Sequence, residues 1–290
     1  MQTVILALLI GMISFGCSGA GSSGKTLRIG IQEWDENVAI SNLTKVLLEE
    51  DLGYDKVELQ VLPLPDVFEG VGDGDLDAFQ DVWMPNHKDR LSEVSAGVDH
   101  LPAWFRGKTA YGIAVPDYMS DVKSLNDLNR AGTDMIFGIE PTAAFMPKIE
   151  KKVIPGYDPD IKLVASSTPA MLAELKNAYD EKEPIIFLGW SPHWMNATYK
   201  FRYLKDPKGL EKPFSDPSKL STIVRKDLKE DDPVAYQLIK SISLTEEQVN
   251  ALEAEINASG DPVKGVESWL ADNRSVVTPW IDRAEKTQES

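Results

Sequence analysis

The chain has 290 residues, 42% hydrophobic and 26% charged, which is the composition of a folded protein with enough material for one large domain or two lobes. Asp and Glu number 46 against 30 Lys and Arg, and the formal net charge of −16 argues against nucleic acid and anionic membranes as electrostatic partners. The single cysteine excludes a disulfide within the chain.

The N-terminal residues are typical of an exported protein. An apolar run at residues 4–16 is too short for a membrane span, so residues 1–16 are predicted to be a signal peptide. Cys17 follows directly and resembles the lipidated cysteine of a bacterial lipoprotein; the alternative is a simple secretory signal with an incidental cysteine. Residues 17–24 would then be a lipidated anchor and a flexible Gly/Ser tether. We expect the protein in the periplasm or on the outer face of the cell membrane.

From Lys25 onwards the pattern alternates between strands and helices. Leu27, Ile29 and Ile31 alternate with polar or small residues, as in a half-buried strand, and the helix that follows stops near Gly53. Further strands are predicted at 57–61 and 78–82, with a short helix from Pro65 between them. This alternation predicts an α/β architecture with mixed, mostly parallel sheets flanked by helices.

Two β-prone runs, residues 111–116 and 221–226, flank a second set of αβ units that ends in a strand before Trp190. This arrangement predicts two lobes joined by two crossing strands. The first lobe is discontinuous, with residues 25–114 and 223–290, and the second lobe is residues 115–222. After residue 226 the pattern is helical, and these helices are predicted to pack back on the first lobe.

Three of the seven tryptophans, Trp34, Trp83 and Trp190, each come directly after a predicted strand. Open α/β sheets bind ligands outside the carboxyl ends of their strands, so three indoles from two lobes point to one site. The other four, Trp104, Trp194, Trp269 and Trp280, are predicted to be core or helix-packing residues. An aromatic cage suits a quaternary ammonium group, which cannot accept or donate a hydrogen bond. Sugar stacking is the rival use, but it needs planar polar side chains that the pattern does not supply.

A fourth strand end offers a site for an anion. Residues 135–142 are predicted to run from a strand into a helix start, where free backbone N–H groups suit a carboxylate. His87, four residues after Trp83, could add a donor; the alternative is a surface or capping histidine. His193 is predicted to be structural and directed away from Trp190.

These stretches resemble a known family. The segments I-x-E-W-D-E-N-V-A, D-V-W-M-P-N-H, G-I-E-P-T-A-A-F-M, G-W-S-P-H-W-M and T-I-V-R-K are similar to the glycine betaine/proline betaine substrate-binding proteins of ABC transporters. The resemblance implies a two-lobed periplasmic-binding-protein-like fold of type II. It also implies a cage of Trp34, Trp83 and Trp190, with the ligand carboxylate on the Gly138 and Ile139 amides and on His87. W-M-P-N-H is one residue shorter than is usual in relatives, and G-I-E-P-T-A-A lacks two glycines.

The predicted function is capture of glycine betaine or a related quaternary ammonium zwitterion outside the membrane, followed by lobe closure and delivery to an ABC permease with its ATPase. The chain is predicted to be a monomer without cofactor or metal, and its only membrane contact is the lipid anchor. Choline, carnitine, a sulfonium zwitterion or an amino acid are alternative ligands. An exported hydrolase is disfavoured, because the sequence has no G-x-S-x-G elbow and no H-E-x-x-H motif. The acidic turn at 73–77 lacks the glycine of a calcium loop.

Overall fold

The computed structural model describes residues 25–158 and 160–287. The predicted signal peptide (residues 1–16), the lipidated Cys17 and the tether through residue 24 lie outside the described residues, so these assignments stay predictions. In the two described ranges, every helix is either too short or too polar to cross a bilayer.

The strands of the described residues form two large sheets and one small ribbon. In chain order they are β1 (Thr26–Ile31), β2 (Lys56–Val61), β3 (Ala78–Met84), β4 (Val98–His100), β5 (Phe105–Arg106), β6 (Ala110–Pro116), β7 (Met135–Phe137), β8 (Lys162–Val164), β9 (Ile186–Ser191), β10 (Phe201–Tyr203), β11 (Lys219–Arg225) and β12 (Leu244–Thr245).

The first sheet has the order β2-β1-β3-β11-β4 and defines the first lobe. β1 pairs in parallel with β2 and β3, whereas β11 is antiparallel to both β3 and β4. All strands of this sheet except β11 therefore run in one direction. The second sheet, which defines the second lobe, repeats this plan as β8-β7-β9-β6-β10, with β6 as the reversed strand.

The reversed strands are the ones that the chain enters when it passes from one sheet to the other. β6 is the first strand of the second sheet along the chain, and β11 is the strand with which the chain returns to the first. The connecting segments meet where the Oγ1 of Thr109 donates to the carbonyl of Ser218, at 3.1 Å, and accepts its N–H, at 2.6 Å. The two-lobed fold with two crossings is thereby confirmed, while the lobe boundaries at 114/115 and 222/223 remain a prediction.

Helices cover both sheets. Those described are α1 (Asp35–Val46), α2 (Leu64–Asp73), α3 (Lys88–Val94), α4 (Met146–Lys148), α5 (Ile154–Tyr157), α6 (Thr168–Glu181), α7 (Met195–Thr198), α8 (Leu228–Asp231), α9 (Pro233–Ser241), α10 (Glu246–Ser259) and α11 (Pro262–Glu285). A wider π-type turn continues α1 through Leu47–Asp51, another links α4 to α5 through Ile149–Val153, and a 3₁₀ helix spans Leu125–Arg130.

The C-terminal helices begin where the sequence predicts. The Thr245 side chain accepts the N–H of Gln248, whose side chain accepts the N–H of Thr245, and this reciprocal capping box starts α10. The Asp261 carboxylate caps α11, with Pro262 as its first residue. α10 and α11 pack on α1, so the C-terminal helices join the first lobe as predicted.

Candidate functional site

The three predicted tryptophans reach the carboxyl ends of their strands. Trp83 and Trp190 are the next-to-last residues of β3 and β9, so each strand continues through its tryptophan, not only up to it. Trp34 is the N-cap residue of α1, three residues after β1. All three rings are at most 5% exposed. They come from both lobes, because β3 and β1 belong to the first sheet and β9 to the second.

The three rings line one cavity between the lobes. Its walls are formed by Trp34, Glu36, Trp83, Asn86, His87, Tyr111, Ile139, Ala144 and Trp190. The predicted residues Trp34, Trp83, Trp190, His87 and Ile139 are thus brought together. Gly138 is not part of the wall.

His87 presents a neutral donor to the cavity. Its Nδ1 accepts the backbone N–H of Trp83 at 3.2 Å, so the neutral ring carries its proton on Nε2. Burial, with a smaller effect of the Arg90 charge, lowers the pKa of His87 to about 3. Within residues 25–158 and 160–287, Nε2 has no protein partner, so its N–H can donate a hydrogen bond to a ligand. The shorter W-M-P-N-H loop therefore still brings His87 to the cavity.

Gly138 does not fit its predicted role, and this assignment needs correction. Its N–H donates to the carbonyl of Val164 at 2.9 Å, which extends the pairing of β7 with β8 and leaves no proton for a ligand. A Cβ at this position would lie 2.4 Å from Cε of Met146, so a larger residue would require that flexible side chain to move. The Ile139 N–H has no acceptor in the described part of the chain. Ile139 is therefore the candidate amide donor, and Gly138 is not.

The indole N–H groups of two cage tryptophans bond across the cleft. Nε1 of Trp34 donates to Oε2 of Glu140 at 2.9 Å, and Nε1 of Trp190 donates to Oε2 of Glu36 at 2.8 Å. Trp34 and Glu36 belong to the first lobe, whereas Glu140 follows β7 and Trp190 lies in β9, both in the second lobe. The lobes are therefore in direct contact at the site.

Glu36 of the first lobe lines the cavity, and the carboxyl group of Asp81 interacts electrostatically with it. Glu36 is 1% exposed and Asp81 is fully buried. Burial is the main cause that raises the pKa of Asp81 to about 8. Burial first, and then the charges of Asp81 and Glu253, raise the pKa of Glu36. An ammonium ion in the cavity would stabilise the ionised form of Glu36, because an opposite charge offsets the loss of hydration.

The sequence analysis missed four wall residues, which are Glu36, Asn86, Tyr111 and Ala144. Tyr111 lies opposite Trp190 in the β6–β9 pairing, and its ring centroid is 5.8 Å from that of Trp83, which makes it a fourth aromatic face. Glu36 and Asn86 lie within two of the motifs that carry the resemblance, E-W-D-E and W-M-P-N-H. The polar side-chain atoms of Asn86 are buried without a protein partner. The only signal in the sequence was position, since Tyr111 begins the predicted crossing strand and Asn86 precedes His87 in W-M-P-N-H.

The prediction that His193 is directed away from Trp190 needs correction. His193 is buried, as expected of a structural residue, but it packs edge-on against Trp190 with ring centroids 4.5 Å apart. Its Nε2 lies 3.0 Å from Oδ2 of Asp35, and Nε1 of Trp194 donates to Oδ1 of Asp35 at 2.7 Å. Trp194 is partly buried against the core and bonds to the first turn of α1, in the first lobe, across the cleft. The segment between β9 and α7 places both rings beside Asp35, the first residue of α1.

The described residues contain no group of three or more His, Cys, Asp or Glu side chains placed to hold a metal ion. What the cavity offers instead is four aromatic faces, an acidic wall, and two free donors on Ile139 and His87.

Comparison with known proteins places this site in a family context. Residues 25–272 match the family model described as the substrate binding domain of the ABC-type glycine betaine transport system. A glycine betaine/carnitine transport binding protein, GbuC of Listeria monocytogenes, is 34% identical over 162 residues. This match covers 55% of the chain and 53% of the relative, so it spans about half the length of that protein.

Solved structures agree with the fold. Lactococcal OpuAC in its closed form with glycine betaine is 32% identical, with a TM-score of 0.78 over 89% of this chain and 99% of that one. A choline-binding protein of an ABC transporter, in complex with choline, is 26% identical, with a TM-score of 0.79 over 89% and 91% of the two chains. A family match over most of the chain, together with a tryptophan-lined cavity between two lobes, shows that the chain belongs to the family of substrate-binding domains of ABC-type glycine betaine transport systems.

Proposed function

We propose that the protein is the extracytoplasmic substrate-binding protein of an ABC importer, and that it captures glycine betaine or a related quaternary ammonium zwitterion between its lobes. The observation that carries the proposal is the single cavity lined by Trp34, Trp83 and Trp190. No bond of the solute is broken; the protein binds, closes and hands the ligand to a permease coupled to an ATPase.

The cation end of the ligand is assigned to the aromatic faces. A trimethylammonium group offers no hydrogen bond, so only the π-faces and nearby negative charge can recognise it. Each desolvated face contributes about 0.5–2 kcal/mol, and Tyr111 adds a fourth face to the three indoles. Burial of all three indoles supports values toward the upper end of this range.

The carboxylate end is assigned to Ile139 and His87. The Ile139 N–H and the His87 Nε2–H are donors without protein partners in the described residues, and both belong to the cavity wall. A carboxylate that accepts both would satisfy groups that otherwise stay unpaired when the lobes close. Such charge-assisted bonds are about twice as strong as neutral ones.

Closure follows from the distribution of these groups. The ligand contacts Trp34, Trp83 and His87 on the first lobe, and Ile139 and Trp190 on the second, only when the lobes meet. It therefore stabilises the closed form by differential contact. We further propose a monomer with export through the signal at residues 1–16 and anchoring through lipidated Cys17.

Calorimetric titration of the purified protein tests the proposal. We expect saturable binding of glycine betaine and much weaker binding of glycine, because a primary ammonium needs several hydrogen-bond acceptors and the cavity wall consists mainly of aromatic faces. The affinities for proline betaine and carnitine, measured in the same series, show which ligand size the cage accepts. Binding of glycine in place of the methylated ligand would refute the proposal.

Choline is the second candidate ligand, and Glu36 is the observation that favours it. When ionised, a carboxylate in the wall prefers a net cation to a zwitterion, whose own carboxylate it repels. The variant Glu36→Gln should then weaken choline more than glycine betaine. If the affinity for both ligands falls equally, Glu36 acts by positioning Trp190 and not by attracting the charge of the ligand.

A further inference from the structure

The reciprocal bonds of Trp34 with Glu140 and of Trp190 with Glu36 carry an inference about how the cage is assembled. An indole nitrogen can only donate, so each ring seeks an acceptor. At 2.9 and 2.8 Å, the acceptor is in both cases a glutamate of the opposite lobe. These bonds therefore exist only while the lobes are in contact, and they set the orientation of the ring faces that meet the ligand.

Glu140 is held in place by its own lobe. Its Oε1 accepts the N–H of Thr168 at 2.7 Å, and its Oε2 accepts the Thr168 hydroxyl at 3.0 Å. Thr168 is the first residue of α6, where the helix dipole favours a negative charge. Because these bonds lie within the second lobe, they do not depend on closure. The carboxylate is thus already placed when Trp34 arrives.

We propose that Glu140 is a positioning residue that fixes the Trp34 ring in the closed form and so couples ligand capture to lobe closure. The proposal rests on the proposed function of the cavity as a ligand cage. Glu36 plays the matching part for Trp190, but it also lines the cavity. Glu140 does not line it, so a change at Glu140 reports on Trp34 without altering a ligand contact.

A glutamine at position 140 breaks this arrangement without changing its size. The glutamate oxygens accept three N–H or O–H groups, two from Thr168 and one from Trp34. In glutamine one oxygen becomes an NH₂ group, which cannot accept. Either orientation of the amide therefore sets an NH₂ group against an N–H of Thr168 or of Trp34. In a Trp34→Phe background the clash with the indole disappears, because phenylalanine keeps an aromatic face but has no N–H.

A double-mutant cycle tests the coupling. The dissociation constant and dissociation rate of glycine betaine are measured for the wild type, Glu140→Gln, Trp34→Phe and the double variant, by calorimetry and stopped-flow tryptophan fluorescence. Glu181→Gln, at the exposed far end of α6, is the matched control for the same chemical change.

We expect Glu140→Gln to weaken binding by about ten- to a hundredfold, chiefly through faster dissociation, as for a lost hydrogen bond to a charged group. In the Trp34→Phe background the same change should weaken binding by less than about threefold, because no indole N–H is left to hold. Glu181→Gln should bind like the wild type. The inference is overturned if Glu140→Gln costs the same factor in both backgrounds, which would leave Thr168 as its only functional partner, or if it has no effect in the wild type.

A different result would show that the proposed function itself is wrong. A wild-type protein that binds no methylated ammonium ligand would refute the function. The role of the Trp34–Glu140 bond in closure would then be tested on the ligand-free proteins by small-angle X-ray scattering. A larger radius of gyration for Glu140→Gln than for the wild type would support this role, and equal radii would overturn it.

Discussion

Replacing His87 with alanine distinguishes recognition of the ligand carboxylate from recognition of the trimethylammonium group. The variant removes Nε2, the donor assigned to the ligand carboxylate, and leaves the aromatic faces in place. A hydrogen bond to a charged group contributes about 1.5–3 kcal/mol, so glycine betaine should bind about 10- to 150-fold more weakly. Choline carries the trimethylammonium group without the carboxylate. Its affinity should therefore change by less than about threefold.

Calorimetry with both ligands at pH 5 and pH 8 measures these effects. Because burial lowers the pKa of His87 to about 3, the ring stays neutral at both pH values. The ratio of the glycine betaine dissociation constants of variant and wild type should therefore be the same at pH 5 and pH 8. His100→Ala is the matched control, since His100 lies in β4 and bonds to Ser221, outside the cavity wall.

The choline measurement decides whether the reasoning holds. His87 also accepts the N–H of Trp83, so its loss could displace that ring. If choline weakens as much as glycine betaine, the variant acts through Trp83 and the carboxylate assignment is refuted. If the wild type does not bind choline, tetramethylammonium takes its place as the ligand without a carboxylate.

Three further predictions concern the cage, the buried acids and the anchor. Trp190→Leu removes one cation–π face and should weaken the binding of glycine betaine by about two- to thirtyfold. Trp280→Leu, on α11, should bind glycine betaine like the wild type in the same titration. Equal affinities of Trp190→Leu and the wild type would contradict the cage. Between pH 3.8 and about 8 the unfolded state releases the Asp81 proton that the folded state keeps, so the folded state of the wild type loses stability as pH rises. Asp81→Asn lacks this titration, so its Tm relative to that of the wild type should increase from pH 4 to pH 8. A constant difference in Tm would refute this. Cys17→Ala should move the protein from the membrane fraction to the soluble exported fraction without changing ligand affinity, and retention at the membrane would exclude lipidation.

The fold and much of the site could be predicted from the sequence because they depend on local patterns. The alternation of strands and helices indicated two α/β units, and the reversed strands β6 and β11 coincide with the two β-prone runs of the prediction. Trp83 and Trp190 meet because equivalent strands of two similar sheets end at the same cleft.

What escaped prediction depends on pairing between distant segments. The bond of Trp34 to Glu140 joins residues 106 apart, and that of Trp190 to Glu36 joins residues 154 apart. Nothing in the local sequence of either partner identifies the other. The error at Gly138 has the same origin, since its N–H is consumed by a neighbouring strand whose register is set by the whole sheet.

The most direct test of the account compares glycine betaine with its carbon isostere, in which a tert-butyl group replaces the trimethylammonium group. The two ligands share their shape and their carboxylate, and only one has a cation. Three indole faces at about 0.5–2 kcal/mol each predict that the isostere binds more weakly by about 1.5–6 kcal/mol, or at least about tenfold. Equal affinities in calorimetry would mean that the cavity recognises shape and carboxylate alone, and would contradict recognition of the cation by Trp34, Trp83 and Trp190.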